Sequence, residues 1–284
     1  MERIVKKNSG YIIYQNQSSR PNITETNLVV LVLTALRTTP HEVCKLTPMS
    51  DINPESIADR IHTIRSNIPA NVKLVAVSKY TTTQAIRAAY DAGVRDFGES
   101  RVQDSKVKQE ELADLTDITW HMIGSLQSNK ARQAIDQFDW IHSIDRLSLA
   151  EQCDRHIADL GKSPKLLLQV KLANDPNKSG WSESELLADL PRLEKLQNLD
   201  IVGLMTILPL GLDESQAYEV FSRVGVLAEK LRSLGWDNIC ELSMGMSADY
   251  AIAIRASASM IRVGSQIFSG YINDPNKDLN KLIS

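Results

Sequence analysis

Chemistry is most clearly suggested by a lysine that closes an apolar run, where Val75-Ala76-Val77-Ser78 leads into Lys79 and Tyr80. An amine held partly out of water is disfavoured as ammonium, so its pKa falls and it condenses readily with an aldehyde to form a Schiff base. The plain alternative is a lysine whose methylenes cover a strand end while its charge stays wet. Two distant stretches bear on the choice. Ser243-Met244-Gly245-Met246-Ser247-Ala248-Asp249 carries an apolar run into a helix start, where main-chain N–H groups and the Ser247 hydroxyl can converge on an anion. Arg262-Val263-Gly264-Ser265 offers close backbone approach at Gly264 and a donor at Ser265. Taken singly, each is a strand end and a helix cap; taken together, they are two halves of a phosphate cup. Arg262 alone is an ordinary ion-pair partner. Facing a pyridine nitrogen, its fixed charge would keep that nitrogen unprotonated and make the ring a poor electron sink.

Such residues need a scaffold that gathers the ends of distant strands. From residue 70 onward, short apolar or β-branched runs alternate with helical patterns, the mark of βαβ units and a parallel sheet. The expected strands cover residues 73–78, 96–99, 119–124, 140–144, 165–171, 201–207, 240–244 and 260–268. Between them, apolar residues three or four apart predict helices over 82–92, 128–137, 147–160, 182–196, 214–234 and 250–256. Eight such units predict an α/β fold, a single (β/α)8 TIM barrel whose chemistry gathers at the C-terminal ends of the strands. The rival is a doubly wound open sheet, but Gly93 and Gly98 do not make its GxGxxG fingerprint.

The bulk properties narrow the function. The chain has 284 residues and a net charge of -3, with no basic tract, so neither nucleic acid nor an anionic membrane is an expected partner. Cys44, Cys153 and Cys240 form no CxxC pair and the five histidines no ligand spacing, so neither a disulfide framework nor a metal is expected, and a reducing cytoplasm fits best. Residues 1–48 are rich in Asn, Ser and Thr, and their one apolar run, 28–36, is short of the ~20 residues that cross a bilayer. They are expected to be a poorly ordered extension or no part of the native chain. The functional barrel is then 49–284, opening on a helix capped around Ser50, Asp51, Asn53 and Pro54, with Ile57, Ile61 and Ile64 on its buried face.

The ordered motifs resemble the pyridoxal phosphate homeostasis protein family, whose barrel is similar to the N-terminal domain of alanine racemase. They are Leu74 through Lys79, Phe97-Gly98-Glu99, Trp120 through Lys130, His142-Ser143-Ile144-Asp145, Lys178-Ser179-Gly180, Gly203-Leu204-Met205-Thr206, Ser243 through Ser247, and Arg262-Val263-Gly264. The resemblance implies that pyridoxal 5'-phosphate (PLP) is the cofactor and that Lys79 forms the internal aldimine. It further implies that Ser247, Gly264 and Ser265 hold the phosphate, that Arg262 faces the ring nitrogen, and that Met205, Ser243 and Met246 line the cofactor. One departure is Ser100, where the family motif usually has asparagine after Gly-Glu; a hydroxyl cannot span the gap that an amide bridges. Trp120 and His121 read first as core, Asn129 and Lys130 as a cap and a solvated charge, and Lys178 as a loop lysine that could contact phosphate or receive the aldehyde.

The implied function is homeostasis of intracellular PLP and linked amino-acid balance, by a non-enzymatic carrier with PLP-dependent apo-enzymes as partners; a closed barrel with no sheet edge and no strong exposed apolar stripe makes a monomer the expected state. Two alternatives stand beside it. A racemase of low activity needs an acid or base on each face of the cofactor; the tyrosine that alanine racemase-like enzymes use there belongs to a second domain, which is not expected in the residues after Ser269, so Tyr80, Tyr250 or a partner chain would have to supply it. A cofactor-free aldolase using Lys79 would be colourless, which separates it by absorbance.

Overall fold

The computed structural model describes residues 54–173, 175 and 178–271, together with two-residue strands Lys7–Asn8 and Tyr11–Ile12, which pair antiparallel. The chain divides into a unit of residues 1–50 and one of residues 51–284. The expected caps at Ser50, Asp51 and Asn53 and the expected start of the functional chain near Met49 lie outside the described residues.

In the larger unit, eight parallel strands close into a barrel: β1 (Lys73–Val77), β2 (Asp96–Glu99), β3 (Thr119–Met122), β4 (Trp140–Ile144), β5 (Lys165–Gln169), β6 (Asp200–Met205), β7 (Glu241–Ser243) and β8 (Met260–Val263). Each pairs with its neighbour in sequence, and β8 returns to β1 with Val263 opposite Ala76. Closure leaves no free sheet edge and rules out the doubly wound alternative. The helices are α1 (Pro54–Ser66), α2 (Thr83–Asp91), α3 (Val102–Glu111), α4 (Ala131–Gln137), α5 (Leu147–Leu160), α6 (Glu183–Leu193), α7 (Glu214–Ser233), α8 (Tyr250–Arg255) and α9 (Ser265–Phe268).

Alternation of side chains along the strands separates two cores. Leu74 and Ala76, Ile261 and Val263 face outward and pack with the helices, where Ile57, Ile61 and Ile64 of α1 are buried as their spacing predicts. Val75, Trp140, Leu167, Met205 and Met260 form a smaller cluster inside the barrel. The inward positions on several strands are polar instead: His121, His142, Ser243 and Arg262 are all buried there.

Two of the differences from expectation concern whole elements. Residues 260–268 were expected as one strand, but β8 stops at Val263, and Ser265–Phe268 turns into a short helix that buries Ile267 and Phe268. Apolar residues on both sides of Gly264 look alike in sequence whether the backbone continues or bends. The helix Val102–Glu111 was not foreseen, because only Val102 and Ser105 of its residues are buried and the rest of Val-Gln-Asp-Ser-Lys-Val-Lys-Gln-Glu-Glu shows no apolar period.

Candidate functional site

The turn that carries Lys79 is fixed from below. Ser78 is buried, and its hydroxyl donates to Glu99 Oε1 at 2.6 Å. Lys108 of α3 donates through Nζ to the same carboxylate oxygen at 2.8 Å and to the Ser78 carbonyl at 2.7 Å. Glu99 is 1% exposed, and a carboxylate so deep is tolerated only with such partners. The effect is to clamp the peptide immediately before Lys79. Thr81 N–H then closes the turn onto the Ser78 carbonyl at 3.0 Å, and Tyr80 adopts φ +61°, a left-handed conformation that costs a non-glycine residue about 1 kcal/mol.

Lys79 itself is exposed, with its Nζ 5.9 Å from the centre of the Tyr80 ring. The sequence led us to expect a partly desolvated amine at a strand end. Because β1 stops at Val77, Lys79 leaves the sheet's alternation and reaches the solvent.

On the neighbouring side of the mouth, the loops after β7 and β8 meet as the two halves of a cup. The Ser247 hydroxyl accepts from Gly264 N–H at 3.4 Å, and Gln266 Nε2 donates to the Ser247 carbonyl at 2.7 Å. A Cβ at Gly264 would lie 3.0 Å from Val77 Cβ and 3.1 Å from its carbonyl, so glycine lets this loop press against the end of β1, two residues from Lys79. Gly245 has φ +93°, and a Cβ there would stand 2.7 Å from Ala253 Cβ. The N–H groups of Ser247 and Ser265 have no acceptor among the described residues. Donors without acceptors, beside a hydroxyl and an arginine, suit a phosphate.

Arg262 is 4% exposed, and burial pulls its pKa down to about 10. Its Nη1 donates to the Ser243 carbonyl at 2.6 Å and to Ser243 Oγ at 2.7 Å, and its Nη2 to the Thr206 carbonyl at 2.8 Å. No carboxylate touches it among the described residues, and Nε–H is left without a described acceptor. The group therefore has both a donor and a charge to offer an acceptor at the mouth.

Behind Arg262 a chain of hydrogen bonds crosses the barrel interior. Ser243 Oγ lies 2.9 Å from His142 Nδ1, His142 Nε2 lies 2.9 Å from His121 Nδ1, and His121 Nε2 lies 2.9 Å from Asp96 Oδ1. Asp96 opens β2 at the opposite end of the barrel, with Lys73 Nζ 3.5 Å away. Burial works against the Asp96 carboxylate, but the bond from His121 and the Lys73 ammonium outweigh it and hold the carboxyl below its usual range. Desolvation lowers both imidazoles, His142 well below the ordinary value, so both are neutral. An ionised Asp96 only accepts, which fixes every proton in turn. His121 donates from Nε2, His142 donates from Nε2 to His121 Nδ1, Ser243 donates to His142 Nδ1, and Arg262 donates to Ser243.

The sequence profile of the alanine racemase N-terminal domain family matches residues 52–271. A pyridoxal phosphate homeostasis protein of Synechocystis is 50% identical over 205 residues, 72% of this chain and 94% of that protein. The chain belongs to the pyridoxal phosphate homeostasis protein family. Its member from Escherichia coli is 35% identical over 228 residues, covering 78% of this chain and 97% of that one. The solved structure of PipY from Synechococcus elongatus, described as having PLP bound, superposes with a TM-score of 0.72 at 50% identity, over 75% of this chain and 100% of that chain. An alanine racemase of Clostridium difficile, at 14% identity, TM-score 0.64, 79% of this chain and 58% of that one, shares the fold.

The remaining family motifs take varied places. Met205 is wholly buried in the inner cluster, and Met246 is 37% exposed. The Ser243 hydroxyl gives its one proton to His142 and is thus left without a donor for a ligand. Lys178 lies half-buried after β5, in a loop pinned where Gln169 Nε2 donates to the Ser179 carbonyl at 2.9 Å, and no described contact joins its side chain to the cup. Sequence reasoning took His121 as core and assigned no role to His142, Asp96 or Lys108. A signal was available: polar residues at inward positions of strands whose outward neighbours are apolar.

Proposed function

We propose that this chain binds PLP at the barrel mouth as a Schiff base on Lys79 and serves the homeostasis of that cofactor and of the amino acids linked to it. One observation carries the reading: the loops after β7 and β8 meet at Ser247 and Gly264, with unaccepted N–H groups and the buried Arg262 guanidinium beside them. Ser247, Gly264 and Ser265 would hold the phosphate, Arg262 would set a fixed donor against the ring nitrogen, and the Lys79 amine would carry the covalent link. Ser243 acts through Arg262, Met205 fills the interior below, and Met246 flanks the cup. When bound, the cofactor supplies an aldehyde and an electron-withdrawing ring.

A carrier or regulator is favoured over a racemase, because the relatives at 35–50% identity are named for homeostasis whereas the racemases share only the fold. An arginine at the ring nitrogen also disfavours carbanion chemistry. In this reading residues 49–284 are the working part and act as a cytoplasmic monomer, consistent with a closed sheet and with described helices too short or polar to cross a membrane. PLP-dependent apo-enzymes receive the cofactor.

The test is the visible spectrum of the purified chain with added PLP, before and after borohydride, beside Lys79→Ala. The expected result is near-violet absorbance that borohydride fixes to Lys79, with no amino-acid racemisation. A spectrum identical in the variant refutes the linkage, and rapid racemisation refutes the carrier.

A further inference from the structure

On the other side of Lys79 from the cup is a cavity of about 570 Å³ between the loops after β1, β2 and β3. Its lining includes Lys79, Tyr80, Ser100, Arg101, Gly124 and Lys130, and contains no Asp or Glu. We propose that this cavity binds the carboxylate of a free α-amino acid, held by Arg101 and Lys130.

The charge pattern is the first ground. Elsewhere on the described surface several cations have close acidic partners, such as Arg87 with Asp114 at 2.6 Å and Arg95 with Asp117 at 2.7 Å. The Lys130 side chain is half-buried and has no hydrogen bond or ion pair among the described residues. Among the described residues the acidic partner of Arg101 is Asp104 alone, at 3.9 Å with both side chains about half exposed, a pairing too weak to neutralise it. Three cations thus line one concavity without a carboxylate, which concentrates positive potential there.

The second ground is the way the walls are built. A Cβ at Gly124 would lie 2.3 Å from the Ser100 carbonyl oxygen, so the loops after β2 and β3 touch backbone to backbone only because residue 124 is glycine. Tyr80, held at φ +61°, has the Lys79 amine 5.9 Å and the Arg101 guanidinium 5.7 Å from its ring centre. The left-handed turn therefore gathers two of the three cations around one ring, and strain kept at such a place points to use.

The choice of an amino acid rests on the proposed linkage at Lys79: a small anion able to engage an aldehyde held there must carry an amine. A guanidinium matches a carboxylate through two parallel hydrogen bonds, with the ammonium as a point charge beside it.

The binding claim is tested on the cofactor-free full chain by following the Gly124 and Ser125 amide resonances during titration. L-alanine is expected to give saturable shifts, alaninamide none, and an Arg101→Ala/Lys130→Ala double variant at least tenfold weaker alanine binding. Arg101 is exposed and Lys130 half-buried, and an unchanged amide spectrum elsewhere verifies folding. No saturable shift with alanine, or equal binding by the double variant, overturns the proposal; tighter binding of inorganic phosphate than of alanine overturns it in favour of a second phosphate site. Because this titration uses no cofactor, it fails or succeeds independently of the Lys79 linkage.

Discussion

Lowering the pH from about 7.5 to about 5.5 is expected to remove about 2.7 kcal/mol of folding stability through two buried imidazoles alone. His121 and His142 are both 0% exposed, and burial holds both below the ordinary value of 6.5. The unfolded chain takes up a proton on each as the pH falls through 6.5, while the folded barrel does not. The unfolded state binds more protons, so stability is present above 6.5 and is lost below it. Each imidazole contributes about 1.4 kcal/mol across this interval if it stays neutral in the folded state. The window ends above the range where carboxylates begin to titrate, so Asp96 does not contribute. The assay is urea unfolding at both pH values, with the slope against denaturant checked for constancy. His142→Gln should lower stability at the higher pH by about 1–3 kcal/mol, since it disturbs buried partners, and should halve the pH dependence. A stability that is flat over the interval, or a pH dependence unchanged by the substitution, would refute the neutral, fully desolvated chain.

Other consequences are open to direct measurement. Lys108→Met leaves Glu99 buried without its ammonium and should cost about 3–5 kcal/mol in urea unfolding; a cost under about 1 kcal/mol would show that the pair does not clamp the turn. Ser247→Ala should weaken PLP binding by about tenfold, the worth of one hydrogen bond to a charged group, measured by fluorescence titration, while leaving the melting temperature within a few degrees; unchanged affinity would remove Ser247 from the cup. Burial raises the Cys153 thiol to about 12, whereas Cys240 is exposed, so a maleimide should label Cys240 in the folded protein and reach Cys153 only after unfolding. Peptide mapping with equal labelling of both would contradict the packing of α5.

The barrel was legible because its outward strand positions and helix faces obey simple periods: the Ile57, Ile61 and Ile64 stripe and the run 140–144 could be placed from spacing. The meeting of the loops after β7 and β8 was legible because Ser247 and Gly264 sit where an apolar run gives way to small polar residues. Lys79 stands just beyond the end of β1, as the run predicts, but its exposure was not foreseen, since sequence shows that a run ends there and not that the strand stops two residues earlier. α3 escaped because a helix resting on one valine and one serine carries no period. The chain from Arg262 to Asp96 escaped for a different reason: its members come from five strands, and only closure of the barrel brings residues 142 and 243 within a hydrogen bond.

That chain also limits how the interior can change over time. An interior of valine and leucine can be repacked one residue at a time, with loosely additive effects. Here every donor points the same way, from Arg262 towards Asp96, so replacing any one member strands the protons of its neighbours. A lineage or a designer that exchanges His142 for an apolar residue must alter His121 and Ser243 with it. The interior is therefore inherited as a block, and strongly non-additive effects among these positions would be its genetic signature.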